Sequence, residues 1–152
     1  ISIKEGALGR NQPSKTLTVS PQHRMLSRSP IARRMFKTDE VLIAAKKLTC
    51  LPGISDASGS SPVEYWHLLL PSHELIVANG AIAETFLPGP QAMEMLGQTA
   101  SAKLKSQISE HVIQRIAAQP ARYIPSPPDQ RKFAARHLKN NKLLISNASV
   151  PA

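Results

Sequence analysis

The chain has 152 residues, 41% of them hydrophobic, which predicts one domain with a modest core and excludes wholesale disorder. Thirteen prolines and an aromatic content of 4% disfavour a purely helical bundle, and the single cysteine, Cys50, excludes an internal disulfide and a multi-thiolate zinc site. Nineteen basic against ten acidic residues give a net charge of +9, while the longest apolar runs are too short to cross a membrane.

Two short strands are predicted at the start of the chain. Residues 1–4 alternate apolar and polar side chains before a glycine-containing turn, and residues 16–19 form a β-branched run. Pro21 disfavours helical angles at Ser20, because its ring restricts the preceding residue. The second strand is therefore predicted to end in a turn that carries His23.

The middle of the chain is predicted to be a β-meander. Residues 41–48 favour a strand followed by a short helical turn, and residues 52–62 have the composition of a loop. Strand patterns then recur at residues 63–70, 73–77 and 81–86. The Asn79-Gly80 pair between the last two predicts a two-residue hairpin turn, since both residues tolerate positive φ.

The pattern changes to helical spacing after Pro88-Gly89-Pro90. A short helix is predicted at residues 90–96, and residues 99–118 are predicted as one amphipathic helix. Its apolar stripe consists of Leu104, Ile108, Val112 and Ile116. Four prolines predict an extended linker over residues 119–130, and the basic segment 131–142 needs a packing partner to be helical.

These elements predict a mainly β fold of antiparallel strands with a C-terminal α-helical extension. The expected organisation is a β domain over residues 1–89, a helical extension over residues 90–118, and a proline-rich linker with a basic tail over residues 119–152.

One short motif has the chemistry of proton transfer. Ser20-Pro21-Gln22-His23 places a hydroxyl residue three positions before a histidine at the end of a strand. Such a turn can direct both side chains into one cleft, where an imidazole gives or takes a proton near neutral pH. A histidine on an ordinary surface turn fits the same pattern, so the motif needs further context.

That context is a second segment, residues 73–83, which opens with His73 and turns at an Asn-Gly pair. Together with residues 17–24, it resembles two sequence blocks of inteins and hedgehog-type domains, the Hint family. The first block there is a Thr-x-x-His motif that ends a strand, and the second is a histidine that opens a strand before a turn. The resemblance is closest to the bacterial Hint-type subfamily and covers most of the chain.

The resemblance implies a curved, mainly β fold and a self-cleaving activity. In the Hint family a cysteine at the start of the domain attacks the carbonyl just before it, and this N-to-S shift turns an amide into a reactive thioester. By resemblance, His23 protonates the leaving amide nitrogen, Ser20 replaces the family's threonine and orients the scissile peptide, and His73 assists when a nucleophile resolves the thioester. No cofactor and no metal ion are implied.

The sequence departs from the family pattern in two places. The segment that carries the family's nucleophile is absent, and Cys50 comes too late in the order of motifs to replace it, so we expect Cys50 to be a partly buried small residue. Inteins end with His-Asn, where this chain has Glu84-Thr85, and threonine cannot form the succinimide that releases the C-terminal flank. The chain is thus expected to be a C-terminal part of a Hint domain, inactive alone, whose partners are its own N-terminal Hint segment and the flanking polypeptide.

Two other functions stay open. One is a basic, non-enzymatic module that binds nucleic acid or an acidic surface, because residues 122–152 hold six basic residues and one acidic residue. A solvated charged tail is the favoured explanation of that charge, and no specific nucleic-acid partner is expected. The other is a split-domain partner that regains activity with a supplied N-terminal half. The compartment is left open.

The remaining histidines suggest no second site. His67 could join His23 and His73 as a zinc ligand, but their spacing is irregular and a metal site is not expected. His111 and His137 lie outside the two blocks and are predicted to be surface residues.

Overall fold

The computed structural model describes residues 1–57 and 66–146. The strands in these ranges are β1 (Ser2–Ile3), β2 (Leu17–Thr18), β3 (Arg24–Arg28), β4 (Glu40–Ala44), β5 (Ile54–Ser55), β6 (Leu75–Ala78) and β7 (Ala81–Glu84). The α-helices are α1 (Pro30–Phe36), α2 (Pro90–Met95), α3 (Gly97–Gln107), α4 (Glu110–Ala118) and α5 (Pro127–Lys139). None of the helices in the described part is long and apolar enough to span a membrane.

The backbone forms two compact units. The first comprises Ile1–Tyr65, Ile76–Ala83 and Arg122–Ala152, and the second comprises Trp66–Leu75 and Glu84–Ala121. Residues 63–65 of the predicted strand over residues 63–70 lie outside the described residues. The predicted loop beyond residue 57 and the tail from residue 147 also lie outside them. Residues 66–70, which are described, form no strand.

Two sheets confirm the predicted mainly β class. One contains three strands in the order β2-β1-β5, and the other contains four in the order β4-β3-β7-β6. The longest pairing is antiparallel and runs from Arg24 opposite Ala44 to Arg28 opposite Glu40. The strand predicted at residues 41–48 is confirmed as β4 followed by a 3₁₀ turn, Ala45–Lys47. β5 lies within residues 52–62, which are predicted as a loop. Its residue Ile54 is buried in the core.

Strand β4 lies at the centre of the core of the first unit. Its residues from Val41 to Ala44 are all buried, so this strand has no solvent face and no polar alternation. Helix α1 begins at the capping residue Ser29, whose hydroxyl accepts a hydrogen bond from the Ala32 N–H at 3.2 Å. Neither β3 nor α1 is predicted from the sequence pattern.

The C-terminal segment is part of this core, which differs from the solvated tail expected from its charge. Phe133 and Ala134 of α5 are fully buried. The Gln130 side chain accepts a hydrogen bond from the Ala44 N–H at 3.0 Å and donates to the Pro125 carbonyl at 2.8 Å. Buried apolar residues thus give α5 the packing partner that the basic segment required, and its charges lie on the outer face.

A carboxylate joins the same segment to the sheet. Glu40 of β4 forms ion pairs with Arg28 and Arg122. Partial burial works to raise the pKa of Glu40, but the hydrogen bonds and charges of Arg122 and Arg28 outweigh it and hold the pKa below its ordinary value. The ionised form is therefore the one that the fold stabilises.

The second unit is mainly helical in its described part. The helices predicted at 90–96 and 99–118 are present, but the second is interrupted, because Ile108 is extended with φ −133° and ψ 129°. Ser109 and Glu110 then start a new helix, a pairing that suits a helix N-terminus. The break changes the buried stripe: Ile113 and Ile116 are buried, whereas Leu104 and Val112 are only half-buried.

Candidate functional site

The Ser20-Pro21-Gln22-His23 turn is held by backbone hydrogen bonds in the first unit. The His23 N–H donates to the Ser20 carbonyl at 3.1 Å. The Lys46 N–H donates to the Pro21 carbonyl and the Ala45 N–H donates to the His23 carbonyl, each at 2.9 Å. Because the 3₁₀ turn fixes both ends of the motif, Ser20 and His23 share one rigid turn immediately before β3.

Both side chains of this turn are half-buried. Val19, one residue earlier, is buried and pairs with Ile1, whose carbonyl accepts its N–H at 3.0 Å. The backbone on either side of these two residues is anchored by hydrogen bonds. The turn can thus present a hydroxyl and an imidazole together, as the sequence predicts.

His73 lies in the second unit, where its surroundings are buried and polar. Its exposed fraction is 3%, and that of Glu84 is 5%. The Ala121 N–H donates to His73 Nδ1 at 2.9 Å. His73 Nε2 lies 3.2 Å from Glu84 Oε2, which is ion-pair distance, but the geometry does not meet that of a hydrogen bond.

These contacts fix which nitrogen of the neutral His73 ring carries the proton. A backbone N–H can only donate, so Nδ1 accepts and is unprotonated. The proton of the neutral ring is therefore on Nε2, on the side of the Glu84 carboxylate. In this arrangement the neutral His73 ring donates from Nε2 and accepts at Nδ1.

Glu84 and Thr85, which the predicted site does not include, also belong to this polar cluster. The Thr85 N–H donates to the Glu74 carbonyl at 2.8 Å, and the Glu74 N–H donates to the Thr85 hydroxyl oxygen at 2.9 Å. Glu84 and Thr85 thus serve as structural partners here. In the register that the Asn79-Gly80 turn sets, Glu84 lies diagonally across from His73 on the same face of the hairpin. The sequence therefore already indicates that these two side chains are neighbours.

The structure therefore brings Ser20 and His23 together in one turn and places His73 in a separate polar cluster of the other unit. A common cleft for the three side chains stays a prediction. Cys50 is exposed, in contrast to the partly buried position expected for it. His67 lies against the Phe86 ring, with ring centroids 5.0 Å apart. Among the residues that the structure describes, no three His, Cys, Asp or Glu side chains could hold a metal ion.

A second serine–histidine pair occurs in the core. Ser29 Oγ lies 3.1 Å from His137 Nε2, and His137 Nδ1 lies 2.9 Å from the Lys142 carbonyl. The carbonyl requires a proton on Nδ1, so Nε2 accepts from the serine hydroxyl. The same hydroxyl caps α1, and both residues are buried, which makes this pair structural. The surface position predicted for His137 is wrong, whereas that predicted for His111 is confirmed.

Comparison with known proteins identifies one family. The family model described as "Hint domain" matches residues 1–90, more than half of the chain. The matched range includes Ser20, His23 and His73. The search of curated proteins found no match, and the search of solved structures found none.

Proposed function

Because the chain belongs to the Hint domain family, we propose that it carries the acid–base groups of an autoprocessing centre whose nucleophile lies outside this sequence. The observation that carries the proposal is the Hint match over residues 1–90, a range that includes Ser20, His23 and His73. The proposed partners are an N-terminal Hint segment and the flanking polypeptide that it cleaves.

The first proposed step is an acyl shift. The nucleophile's sulfur attacks the carbonyl carbon of the scissile peptide, the carbon–nitrogen bond breaks, and the amine leaves with a proton from His23. The Ser20 hydroxyl orients the peptide. The backbone of this turn is anchored to the 3₁₀ turn by hydrogen bonds, which supports these roles because it holds the two residues close together.

The second proposed step involves His73. A nucleophile attacks the thioester carbonyl, the carbon–sulfur bond breaks, and the thiolate leaves. The Nε2–H of His73 is a hydrogen-bond donor for the oxygen or sulfur on which negative charge develops in this step. The Ala121 contact at Nδ1 supports that role, since it keeps the proton on Nε2.

Cys50 is not the proposed nucleophile. It follows the 3₁₀ turn and is exposed. The proposal therefore separates the chain's only cysteine from the chemistry, and this separation can be tested.

The test adds a Hint N-terminal segment to the chain. The 152-residue chain is mixed with, or fused to, a Hint N-terminal segment that carries a cysteine and an upstream reporter, and reporter release is followed by mass spectrometry with and without added thiol. The chain alone is expected to release nothing. His23→Ala should slow thioester formation by roughly a hundredfold or more, because the leaving amine loses its proton donor.

Matched variants assign the steps. His73→Ala should leave thioester formation largely intact and slow its resolution, while exposed His111→Ala and Cys50→Ser should change neither rate. If Cys50→Ser abolished cleavage and His23→Ala did not affect it, the proposed mechanism would be wrong.

A further inference from the structure

A small pocket of the first unit lies among three basic side chains, and we infer that it binds a small anion of the phosphate class. Its volume is about 260 Å³. Its lining residues come from α1, from α5 and from the residue after α5: Ile31, Arg34, Arg136, Lys139 and Asn140. The pocket lies apart from Ser20, His23 and His73 in the sequence, and the proposed function does not use it.

The part of the chain that the structure describes does not neutralise the charges of this pocket. Within residues 1–57 and 66–146, Arg34, Arg136 and Lys139 form no ion pair with an acidic side chain. The preceding residue of α1, Arg33, is by contrast paired with Asp39 at 2.5 Å. Three like charges around one concave surface repel each other, and a bound anion relieves that repulsion.

The pocket also contains hydrogen-bond donors suited to phosphate oxygens. A guanidinium presents its N–H groups as a planar fork that can bind two such oxygens at once. The Arg34 Nε donates weakly to the Pro30 carbonyl at 3.4 Å, which leaves its terminal nitrogens for a ligand. One N–H of the Asn140 amide donates to the Arg136 carbonyl at 2.7 Å, and the amide has a second N–H.

The helix dipoles oppose an anion here but do not outweigh the side chains. Arg34 lies in the last turn of α1, and Arg136 and Lys139 lie in the last turn of α5. A helix C-terminus carries roughly half a negative charge at most, and its effect falls off within one turn. Three full positive charges therefore leave the pocket positive.

The size and shape of the pocket favour a small ligand over a polymer. A nucleic-acid backbone is bound by cations spread along an extended path. Here the three cations surround one concavity, and buried Ile31 supplies an apolar wall. A phosphate monoester or a diphosphate matches that arrangement.

The test uses inorganic diphosphate as the probe and the whole chain as the protein. Binding is measured by isothermal titration calorimetry at low and at physiological salt. The triple variant R34Q/R136Q/K139Q should bind more than tenfold more weakly, since each exposed ion pair changes affinity by roughly two- to fivefold. The control R115Q/R131Q/K132Q removes the same number of arginines and lysines from other exposed positions and should retain most of the affinity.

A second measurement locates the ligand without any substitution. In the wild-type protein, diphosphate should shift the backbone amide resonances of residues 34, 136, 139 and 140 ahead of those of residues 115 and 132. Equal weakening by the two triple variants, or shifts spread over all basic residues, would overturn the proposal in favour of unspecific charge. A mixed-sequence DNA duplex that outcompetes diphosphate at this pocket would overturn it in favour of a nucleic-acid surface.

Discussion

A substitution at Phe133 tests whether the C-terminal helix α5 contributes to the core. Its ring is fully buried and pairs with the Phe36 ring at 5.7 Å and with the His137 ring at 4.5 Å between centroids. Truncating a buried phenylalanine to alanine costs about 3–5 kcal/mol. The upper part of that range is expected, because each aromatic pair adds about 0.5–1.5 kcal/mol.

The predicted loss is a large share of the free energy of unfolding, which is about 5–15 kcal/mol for a typical domain. At roughly 2–4 °C per kcal/mol for a chain of this size, Phe133→Ala should lower Tm by roughly 6–20 °C. Urea unfolding followed by circular dichroism gives the free energy, and thermal unfolding gives Tm. A variant that is unfolded from the outset would meet the same expectation.

Leu138→Ala is the matched control, because Leu138 lies on the same helix and is 48% exposed. Both substitutions end in alanine, a strong helix former, so a difference in helix propensity is small. The control should cost less than about 1 kcal/mol, as surface substitutions usually do. Equal losses for the two variants would mean that α5 does not contribute to the core, and the reasoning would fail.

Two further outcomes are expected. Burial lowers the pKa of His137, against weaker opposing hydrogen bonds from the Lys142 and Leu143 backbone, so the unfolded chain takes up a proton before the folded one does. The free energy of unfolding should therefore fall as pH drops below about 6.5, more steeply in the wild type than in His137→Gln, and parallel pH profiles from urea unfolding would contradict this. Asn79 has φ 48° in the β6–β7 hairpin, so Asn79→Ala should cost about 1–2 kcal/mol by the same assay. Asn79→Gly, which tolerates that φ, should cost less, and the reverse order would rule out the turn geometry as the cause.

Local patterns predicted the elements whose signals are local. The Asn79-Gly80 hairpin, the strand and 3₁₀ turn of residues 40–47, and the turn carrying Ser20 and His23 all follow from side-chain alternation and turn chemistry within a few residues. The break at Ile108 was missed, because the four-residue stripe continues through it in sequence. The signal for the break, Ser109-Glu110, is weaker than the stripe.

The role of α5 depended on contacts that no local pattern reveals. Its charges suggested a tail, yet Gln130, Phe133, Ala134 and His137 form one buried stripe at helical spacing. Two members of that stripe, Gln130 and His137, are polar, and hydrogen bonds compensate for their burial. The partners are Ala44 and Pro125 for Gln130, and Lys142 for His137. A hydrophobic pattern does not predict the burial of a polar side chain whose hydrogen-bond partner is distant in the sequence. The Ala44 N–H, the partner of Gln130, lies 86 residues away.

Two buried histidines show why residue type alone leaves the chemistry open. In His73 a backbone N–H occupies Nδ1, so the neutral ring donates from Nε2. In His137 a backbone carbonyl occupies Nδ1, so the neutral ring accepts at Nε2, and Ser29 already uses that lone pair. The backbone partner, and not the imidazole itself, decides whether the free side of the ring is a donor or an acceptor. His137, with both nitrogens engaged inside the core, is confined to holding α1 and α5, whereas Nε2 of His73 faces the Glu84 carboxylate at 3.2 Å.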